Sequence, residues 1–430
     1  MATLSNETYK GTSDWLPEEF SIRKLIFDTW RRVCVSYGYQ EYLTPLVEPT
    51  QLYKAKSGED LGGKELMTLV DKGGRELAIR PEMTPSVTRM VTKIYSSSPK
   101  PLRLFSIANF MRAEKPQRGR NREFWQLNYD IFGSKELDAD LEILLISDDI
   151  MMSFSPPNGS YKIRINNRKL LNDFAVKVLA IEESEKYSEI LHVMDKWGKL
   201  PEVVNIERLE KLGLDSTNVE KIKLFLTLKT EADMLKAFPE LSESEGLKDL
   251  QEITNRFSSL GKGERIEFSP SLIRGFDYYD GLIFEVFDEH PDNKRALFGG
   301  GRYNGLSSLF GMDDIPAVGC APGDETLKLF LESWGLIERL TKERVTESYY
   351  IPLIDPECKE QMYDLADSMR SKGEVVELGV EVQKIGKALA YADKKGTRYV
   401  VLLGKDELSG GYATIKDLEQ GSQNRIPLSK

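Results

Sequence analysis

The 430-residue chain has few of the side chains that build metal or disulfide sites, with three cysteines and two histidines. These residues are widely separated along the sequence, at Cys34, His192, His290, Cys320 and Cys358. Because a zinc site needs clustered thiolates or imidazoles, no protein-held metal of the Cys/His type is predicted. The cysteines are expected to be buried thiols in a reducing compartment. Catalysis by this chain would depend on electrostatics more than on imidazole bases.

Long apolar runs are also missing. No stretch approaches the roughly 20 apolar residues of a membrane helix, so no membrane partner is expected. The first residues show no basic region followed by an apolar one, which predicts a cytoplasmic protein without an export signal. The net charge of −10 argues against general coating of nucleic acid but leaves room for a confined basic patch.

The densest group of cations lies in residues 110–126, between two apolar segments. The pattern predicts two antiparallel strands joined by a long loop. The loop carries four basic residues, Lys115, Arg118, Arg120 and Arg122. A solvated basic turn is the alternative interpretation. Because the flanking strands would hold these charges in place, a phosphate or nucleotide ligand is favoured.

Composition and periodicity divide the chain into segments. Strand and helix patterns mix up to residue 168, whereas Lys- and Glu-rich helical patterns dominate 169–262. Strand patterns return in 263–335, which predicts one sheet interrupted by a helical insertion. A charged connector over 336–348 leads to a βαβαβ pattern in 349–430, typical of a small separate α/β domain. That domain is expected to end in a hairpin that turns at Gly410-Gly411 or at Gly421.

The sequence has neither a phosphate-binding loop of the G-x-x-x-x-G-K-[ST] type nor a G-x-G-x-x-G run that opens a helix after a strand. Gly386-Lys387 lacks both the preceding glycine and the following hydroxyl of the first type. Three other runs can carry chemistry. Residues 79–84 place Glu82 and Thr84 at a strand-to-helix turn, where the carboxylate could receive an ammonium group, although taken singly the run is only a helix start. Residues 272–286 combine Arg-Gly and Asp-Tyr-Tyr with an apolar strand, which predicts polar groups on one face of a strand hairpin.

The third run, residues 299–306, is rich in glycine. Its glycines would let the backbone approach a ligand closely, with Tyr303 as a wall, but a tight turn explains them equally well.

Taken together and in this order, these runs resemble the histidyl-tRNA synthetases, a family of class II aminoacyl-tRNA synthetases, over essentially the whole chain. The strand around Thr44-Pro45 resembles the first class II motif, which in the family lies at the dimer interface. Residues 110–124 resemble the second motif. Residues 274–279 and 300–306 resemble two signatures particular to the histidine enzymes, and residues 349–430 resemble the anticodon-binding domain.

The resemblance implies an α+β fold with an antiparallel-sheet class II catalytic core, a helical insertion and a C-terminal α/β anticodon-binding domain. It also implies ATP-dependent attachment of histidine to tRNA(His) through a histidyl-adenylate, in a homodimer that uses Mg²⁺ for the outer phosphates of ATP. The implied histidine-binding residues are Glu82, Thr84, Gln126, Asp130, Tyr278, Tyr279 and Tyr303.

The resemblance assigns the remaining site residues as well. For ATP they are Arg112, Glu114, Arg120, Phe124 and Arg274. Within that set Arg112 and Arg274 are the catalytic pair, and Arg274 stands in for a metal near the α-phosphate. The acceptor end of tRNA is expected to meet Lys115, Gln117 and Arg118.

Two positions depart from the family pattern. Asp130 occupies a position where many bacterial members carry Glu, and Asp is used by the eukaryotic and archaeal branches. Thr326 replaces the ATP-binding Arg that normally ends the third motif, a loss worth about 3–4 kcal/mol of transition-state stabilisation. Replacement by another cation is expected, for instance by one from the 118–122 loop.

A second interpretation comes from a different class of protein. A non-catalytic synthetase-like regulator, of the ATP phosphoribosyltransferase regulatory-subunit type or a sensor of uncharged tRNA, would tolerate Thr326. That regulatory paralogue normally lacks both the C-terminal domain and the Arg-Gly-x-Asp-Tyr-Tyr run, and this chain has both.

Overall fold

The computed structural model describes residues 4–55, 65–181, 184–273, 278–293, 295–342 and 347–428. The chain forms two compact units, Met1–Leu340 and Thr341–Lys430. No described helix is long and apolar enough to cross a membrane.

The strands of the first unit form two sheets. Its strands are β1 (Gln40–Glu41), β2 (Val47–Pro49), β3 (Thr68–Val70), β4 (Glu76–Ile79), β5 (Leu102–Met111), β6 (Glu123–Phe132), β7 (Tyr161–Asn167), β8 (Ile266–Phe268), β9 (Leu282–Asp288), β10 (Ala296–Tyr303) and β11 (Ala317–Cys320). The main sheet has the order β1-β5-β6-β11-β10-β9-β7-β8, and β2, β4 and β3 form a small separate sheet.

Most pairings in the main sheet are antiparallel, as expected for the predicted fold class. Strands β5 and β6 pair over their full length, from Leu102 opposite Phe132 to Met111 opposite Glu123, which confirms the predicted hairpin. The two edge pairs, β1 with β5 and β7 with β8, are parallel. Since β7 precedes the helical segment and β8 follows it, the prediction of an interrupted and resumed sheet is confirmed.

Most helices of this unit cover one face of the main sheet or form the segment between β7 and β8, whereas the helix Thr84–Ile94 packs against the opposite face. The helices are α1 (Pro17–Ser36), α2 (Gln51–Lys54), α3 (Thr84–Ile94), α4 (Leu137–Met152), α5 (Arg168–Asp173), α6 (Ser184–Asp195), α7 (Glu202–Lys211), α8 (Ser216–Thr227), α9 (Glu231–Ala237), α10 (Glu245–Ser259), α11 (Asp324–Ser333) and α12 (Ile337–Lys342). The described part of 169–262 contains no strand, and its core residues belong to the same hydrophobic cluster as the covered sheet face.

The second unit is a five-stranded sheet with helices. Its elements are β12 (Ser348–Ile351), α13 (Lys359–Ser371), β13 (Val375–Leu378), α14 (Ile385–Lys395), β14 (Tyr399–Leu402), α15 (Lys405–Gly410), β15 (Tyr412–Asp417) and β16 (Gln423–Pro427). The strand order is β13-β12-β14-β15-β16, with the first three parallel and the rest antiparallel. The final hairpin turns at Gly421, whereas Gly411 ends α15, a helix that the sequence pattern did not predict.

The sequence allows two interpretations of residues 299–303. The tight turn is excluded, because these residues belong to β10. The glycines are in the strand because neighbouring backbone comes very close, so that a Cβ at Gly300 would lie 2.1 Å from the carbonyl oxygen of Gly319. The strand hairpin expected after the Asp-Tyr-Tyr cluster is formed by β9 and β10, which pair antiparallel. The cluster itself is not on a strand where it is described, since Tyr278–Gly281 precede β9 as turn and coil. Residues 274–277 lie outside the described residues.

One buried ion pair joins the sheet to its covering helices. The Arg302 guanidinium on β10 donates to both carboxylate oxygens of Asp140 on α4 and to the carbonyl of Ser134. Asp140 is 2% exposed and Arg302 7% exposed. The pair therefore fixes the position of α4 against the sheet.

Replacing one member of this pair leaves the other charge buried without compensation. We expect Asp140→Ala to lower the free energy of unfolding by about 3–5 kcal/mol, measured by urea denaturation. Glu252→Ala, which removes the exposed partner of Arg256 on α10, is the matched control and should change stability little. Equal effects of the two substitutions would contradict a structural role for the buried pair.

Candidate active site

The strand β6 separates a hydrophobic core from a polar surface. Because side chains alternate along a strand, Leu127, Tyr129 and Ile131 face the helices of the core. The intervening positions face the opposite side of the sheet, and they are Phe124, Gln126, Asn128 and Asp130. Three of the predicted substrate-binding residues therefore lie in a row on one strand face.

Asp130 is at the buried end of this row. Its Oδ1 accepts a 2.6 Å hydrogen bond from the Tyr303 hydroxyl on β10, and the residue is 4% exposed. Burial raises the pKa of this carboxyl to about 7, against the lowering effect of the Tyr303 hydrogen bond. Gly319 lies opposite Asp130 on β11, and a Cβ there would be 1.9 Å from Asp130 Oδ1. Glycine at 319 therefore makes room for the carboxylate.

Aromatic rings form one wall of the site. Tyr278, Tyr279 and Tyr303 pack with ring centroids 5.1 to 6.5 Å apart. The Tyr278 hydroxyl donates to Glu82 Oε2 at 3.0 Å, so residues 196 positions apart in sequence meet here. Thr84 is half-buried at the first position of α3. The predicted histidine-binding residues on β6, β10, the 278–279 segment and the turn before α3 are therefore brought together.

Arg112 and Phe124 lie at the other end of the β6 row. The Arg112 Nε donates to the carbonyl of Pro81 at 3.0 Å, and its guanidinium is 5.0 Å from the centroid of the Phe124 ring. Desolvation lowers the pKa of Arg112, against the opposing effect of Glu82. Phe124 also stacks on Phe110 at 5.8 Å. A cation beside an aromatic face is suited to a nucleotide, whose base can stack while its phosphates pair with the guanidinium.

The loop between β5 and β6 is fixed by contacts within the protein. Arg120 forms a 2.9 Å ion pair with Glu114, and burial raises the pKa of that carboxyl. Arg122 donates to the Tyr9 hydroxyl and to the carbonyl of Lys10. Two of the loop cations therefore have structural partners.

Three further loop residues carry the predicted contacts with the acceptor end of tRNA. The side chains of Lys115, Gln117 and Arg118 are exposed. Gln117 Oε1 accepts a 3.0 Å hydrogen bond from Arg295, which immediately precedes β10.

The run that resembles the third class II motif, residues 319–326 (the third-motif run), turns its polar groups inward. The buried Asp324 accepts a hydrogen bond from the backbone N–H of Trp125 at 2.9 Å and another from Arg23 Nε at 3.0 Å, and burial raises its pKa to about 6. Glu325 pairs with the same Arg23. The Thr326 hydroxyl donates to the carbonyl of Leu297 at 2.6 Å. Residue 326 therefore binds sheet backbone where the family pattern has a cation.

Several residues of the site had no sequence signal. Arg23 lies within an ordinary amphipathic helix, and only its contacts show that it holds the third-motif run. Ser106, Asn128 and Tyr42 contribute buried polar atoms beside Asp130, and no motif marks them. The second predicted catalytic residue, Arg274, lies outside the described residues.

No group of three or more His, Cys, Asp or Glu side chains in the described ranges could hold a metal ion. A metal in this site would depend mainly on ligands from a bound substrate, as Mg²⁺ commonly does in nucleotide sites.

A mixed sheet of this order, with Arg112 directly after β5, Phe124 on β6 and the third-motif run beginning on the neighbouring β11, defines a class II aminoacyl-tRNA synthetase core. The sequence profile described as histidyl-tRNA synthetase matches residues 11–327, and that of an anticodon binding domain matches residues 347–430. The chain belongs to the histidyl-tRNA synthetase family.

Similar full-length proteins support the assignment. The chain is 40% identical to the histidine--tRNA ligase of Leptospira biflexa serovar Patoc over 99% of its length and 96% of that protein. It is 33% identical to the histidine--tRNA ligase of Pyrococcus furiosus, with 98% and 96% covered.

Solved structures share the fold. The histidyl-tRNA synthetase of Nostoc sp. PCC 7120 superposes with a TM-score of 0.82 at 24% identity, covering 99% of this chain and 97% of that one. A Bacillus halodurans protein described as an ATP phosphoribosyltransferase regulatory subunit/histidyl-tRNA synthetase gives 0.77 at 22% identity, with 93% and 99% covered. At these identities the structures support the fold alone.

The raised pKa of Asp130 makes stability depend on pH. An unfolded Asp loses its proton near pH 3.8, whereas the folded chain keeps it up to about pH 7. The folded state binds the extra proton between these values, so stability should fall as pH rises through this window, by at most roughly 1.4 kcal/mol per pH unit.

We expect Asp130→Asn to remove this contribution. The free energy of unfolding of the natural chain minus that of Asp130→Asn should decrease steadily from pH 5 through pH 6 to pH 7. Urea denaturation at each pH measures it. Asp138→Asn, which removes an exposed carboxylate in the first turn of α4, is the control. A difference independent of pH for Asp130→Asn would contradict the raised pKa.

Proposed function

We propose that this protein attaches histidine to tRNA(His) at the expense of ATP, as a histidine--tRNA ligase of the cytoplasm. The observation that carries the proposal is the row Phe124, Gln126 and Asp130 on one strand face, closed by Glu82 and the tyrosine wall. It combines a nucleotide-stacking ring, polar groups for an amino acid and a buried carboxylate for a side chain that bears N–H groups. Full-length relatives that are 33–40% identical are named for this reaction.

The polar groups divide into two sets for the amino acid substrate. Glu82, Thr84 and Gln126 receive the α-ammonium group of histidine. Asp130 and Tyr279 bind the two imidazole nitrogens, while Tyr278 and Tyr303 orient Glu82 and Asp130 by their hydroxyl groups. A site that pairs buried polar atoms with its substrate discriminates by about 10⁴-fold against a side chain that lacks them, so no editing site is required.

In the first step an oxygen of the histidine carboxylate attacks the α-phosphorus of ATP. The bond from that phosphorus to the bridging oxygen breaks, and pyrophosphate leaves with the electron pair. Arg112 and Arg274 neutralise the charge that develops on the phosphoryl oxygens. In the second step the hydroxyl at the 3′ end of tRNA attacks the histidyl carbonyl carbon. The bond from that carbon to the phosphate oxygen breaks, and AMP leaves with the hydroxyl proton transferred to its phosphate.

Mg²⁺ is proposed to bind together with ATP. Glu114, whose carboxylate is nearly buried beside the loop, is the residue suited to help hold Mg²⁺ on the outer phosphates. The metal would supply positive charge to those phosphates.

The remaining surfaces are assigned to tRNA and to a second copy of the chain. Lys115, Gln117 and Arg118 are proposed to contact the acceptor end, and residues 349–430 the exposed anticodon bases. Homodimer formation is proposed through the first-motif region and the small sheet. Apolar side chains there are exposed, namely Leu43, Leu46, Val47, Leu69 and Val70.

The regulatory interpretation is not favoured. Relatives of nearly the same length are named as ligases, and the family profile extends through the third-motif run. We therefore propose that another cation takes the place of the third-motif arginine that Thr326 replaces, and that the function is unchanged.

Arg295 is the cation that we propose in its place. It immediately precedes β10, two residues before the Leu297 carbonyl that binds Thr326. Its guanidinium donates to the neutral Gln117 amide and forms no ion pair with a described carboxylate. Of the 118–122 loop cations, Arg120 and Arg122 have structural partners, and Arg118 is assigned to the acceptor end of tRNA. Held at the start of a sheet strand, Arg295 has its charge available for a phosphate.

The proposed reaction is tested by ATP–pyrophosphate exchange with the purified chain. We expect exchange that requires histidine and is absent with each of the other amino acids. A folded protein that binds histidine or tRNA without exchange would instead support the regulatory function. Arg274→Ala should abolish the exchange while largely sparing ATP binding.

The replacement cation has its own test. We expect Arg295→Ala to lower kcat/KM for ATP in the exchange assay by about 10²-fold or more, with the KM for histidine unchanged. Arg256→Ala, an exposed arginine on α10, should leave both parameters unchanged. An unaltered kcat/KM for ATP in Arg295→Ala would exclude this residue as the replacement.

A further inference from the structure

Beside Asp130 the sheet face carries polar atoms that are buried and have no hydrogen-bond partner. They are the Tyr42 hydroxyl, the Ser106 hydroxyl and the Asn128 side-chain nitrogen Nδ2. Ser106 is fully buried and Asn128 is 4% exposed. Buried polar groups in proteins are nearly always hydrogen-bonded, because an unpaired one costs about 1–3 kcal/mol. Three such atoms on the same side of the sheet therefore indicate a partner that is not a protein side chain.

Strand geometry places two of these residues next to each other. Ser106 on β5 is directly opposite Asn128 on β6, and Leu104 is opposite Asp130 two positions further along. Side chains opposite each other on an antiparallel pair lie about 4.5–5.5 Å apart at Cβ. Ser106, Asn128 and Asp130 consequently share one face, with Asn128 between Gln126 and Asp130.

Tyr42 approaches the same face from the edge of the sheet. Its backbone N–H donates to the carbonyl of Phe105 at 2.8 Å, next to Ser106. Its ring packs against the cluster that contains Leu104, Phe110 and Tyr303, on the substrate side of the sheet. Asp130 and Tyr42 also interact electrostatically. The phenol therefore closes the outer side of the polar floor.

We infer that Tyr42, Ser106 and Asn128 form a water-binding floor beneath the histidine side chain, and that an ordered water held there links them to Asp130, the carboxylate that binds the imidazole. A buried water typically makes about three hydrogen bonds to otherwise unpaired groups, which is the number of free atoms on this floor. Two hydroxyls and an amide N–H can orient such a water so that it donates to the Asp130 carboxylate. The three residues act as positioning residues for the carboxylate that recognises histidine.

This inference rests on the proposed function, and it explains how a carboxylate as short as aspartate serves this site. The Asp130 side chain is anchored from one side by the Tyr303 hydroxyl. The water floor would support it from the side of β5. Recognition of the imidazole then depends on residues that the substrate does not touch.

The test uses nearly isosteric substitutions that each delete one polar group: Tyr42→Phe, Ser106→Ala and Asn128→Leu. In histidine-dependent pyrophosphate exchange, each should raise the KM for histidine by about two- to tenfold, the effect of one hydrogen bond. The KM for ATP should not change. Because the groups share one water, the combined effect of Tyr42→Phe and Ser106→Ala should be smaller than the product of the single effects.

Thermal unfolding of the same variants separates binding from structure. If the atoms were unpaired with histidine bound as well, each deletion would leave the KM for histidine unchanged and raise the melting temperature, and the inference would be overturned. An equal rise in the KM for ATP, indicating general damage, would overturn it too. Tyr37→Phe, which removes a hydroxyl bonded to Asp149 outside the site, is the control and should leave both KM values unchanged.

The order of measurement distinguishes two kinds of failure. Absence of histidine-dependent exchange in the natural chain would refute the proposed function. Normal exchange in the natural chain, with unchanged kinetics in all three variants, would refute only the water floor.

Discussion

The register of β6 between β5 and β11 is the constraint on which the rest of the site depends. Side chains on a strand alternate with a period of two, so one register decides which residues enter the core and which face the substrate. In the observed register Tyr129 is buried against the helices, while Asp130 meets Gly319 and Tyr303. A shift of one residue would put the carboxylate into the apolar core and the phenol of Tyr129 into the site. Ten paired positions with β5 make such a shift costly.

Buried charges hold the surrounding elements in this frame. Arg302 joins β10 to α4 through Asp140, and Arg23 joins α1 to the third-motif run through Asp324. Asp324 also accepts a hydrogen bond from the backbone N–H of Trp125, the residue next to Phe124 on β6. Since an unpaired charge in such a position is strongly destabilising, these pairs act against alternative arrangements of the helices around the sheet.

Local patterns in the sequence were sufficient for part of this architecture. The hairpin of β5 and β6 was predictable because apolar segments flank a loop dense in cations, and the insertion because helical periodicity replaces alternation after residue 168. The grouping of Glu82 with Tyr278 was expected only from the family resemblance. No local pattern connects residues so far apart, and their contact depends on how the turn before α3 meets the segment before β9.

Other features were beyond prediction for physical reasons. Glycines favour turns by intrinsic preference, and only the close backbone packing around Gly300 explains why residues 299–301 continue a strand. The Thr326 hydroxyl donates to the carbonyl of Leu297. The spacing of motifs in the sequence does not indicate this contact. The unpaired atoms of Tyr42, Ser106 and Asn128 are a property of the assembled face and have no signature in the chain.

The pairing of Glu82 with Tyr278 and of Asp130 with Tyr303 has a consequence for how this site meets its ligand. Both carboxylates already accept a hydroxyl proton in the free protein, so they are held in place before any substrate arrives. An incoming ammonium or imidazole group adds to an oriented acceptor and does not have to immobilise a mobile side chain. The conformational entropy of these two side chains is already lost when the protein folds. Substrate binding therefore does not have to order them. Folding stability and substrate affinity are thus coupled through two tyrosine hydroxyls.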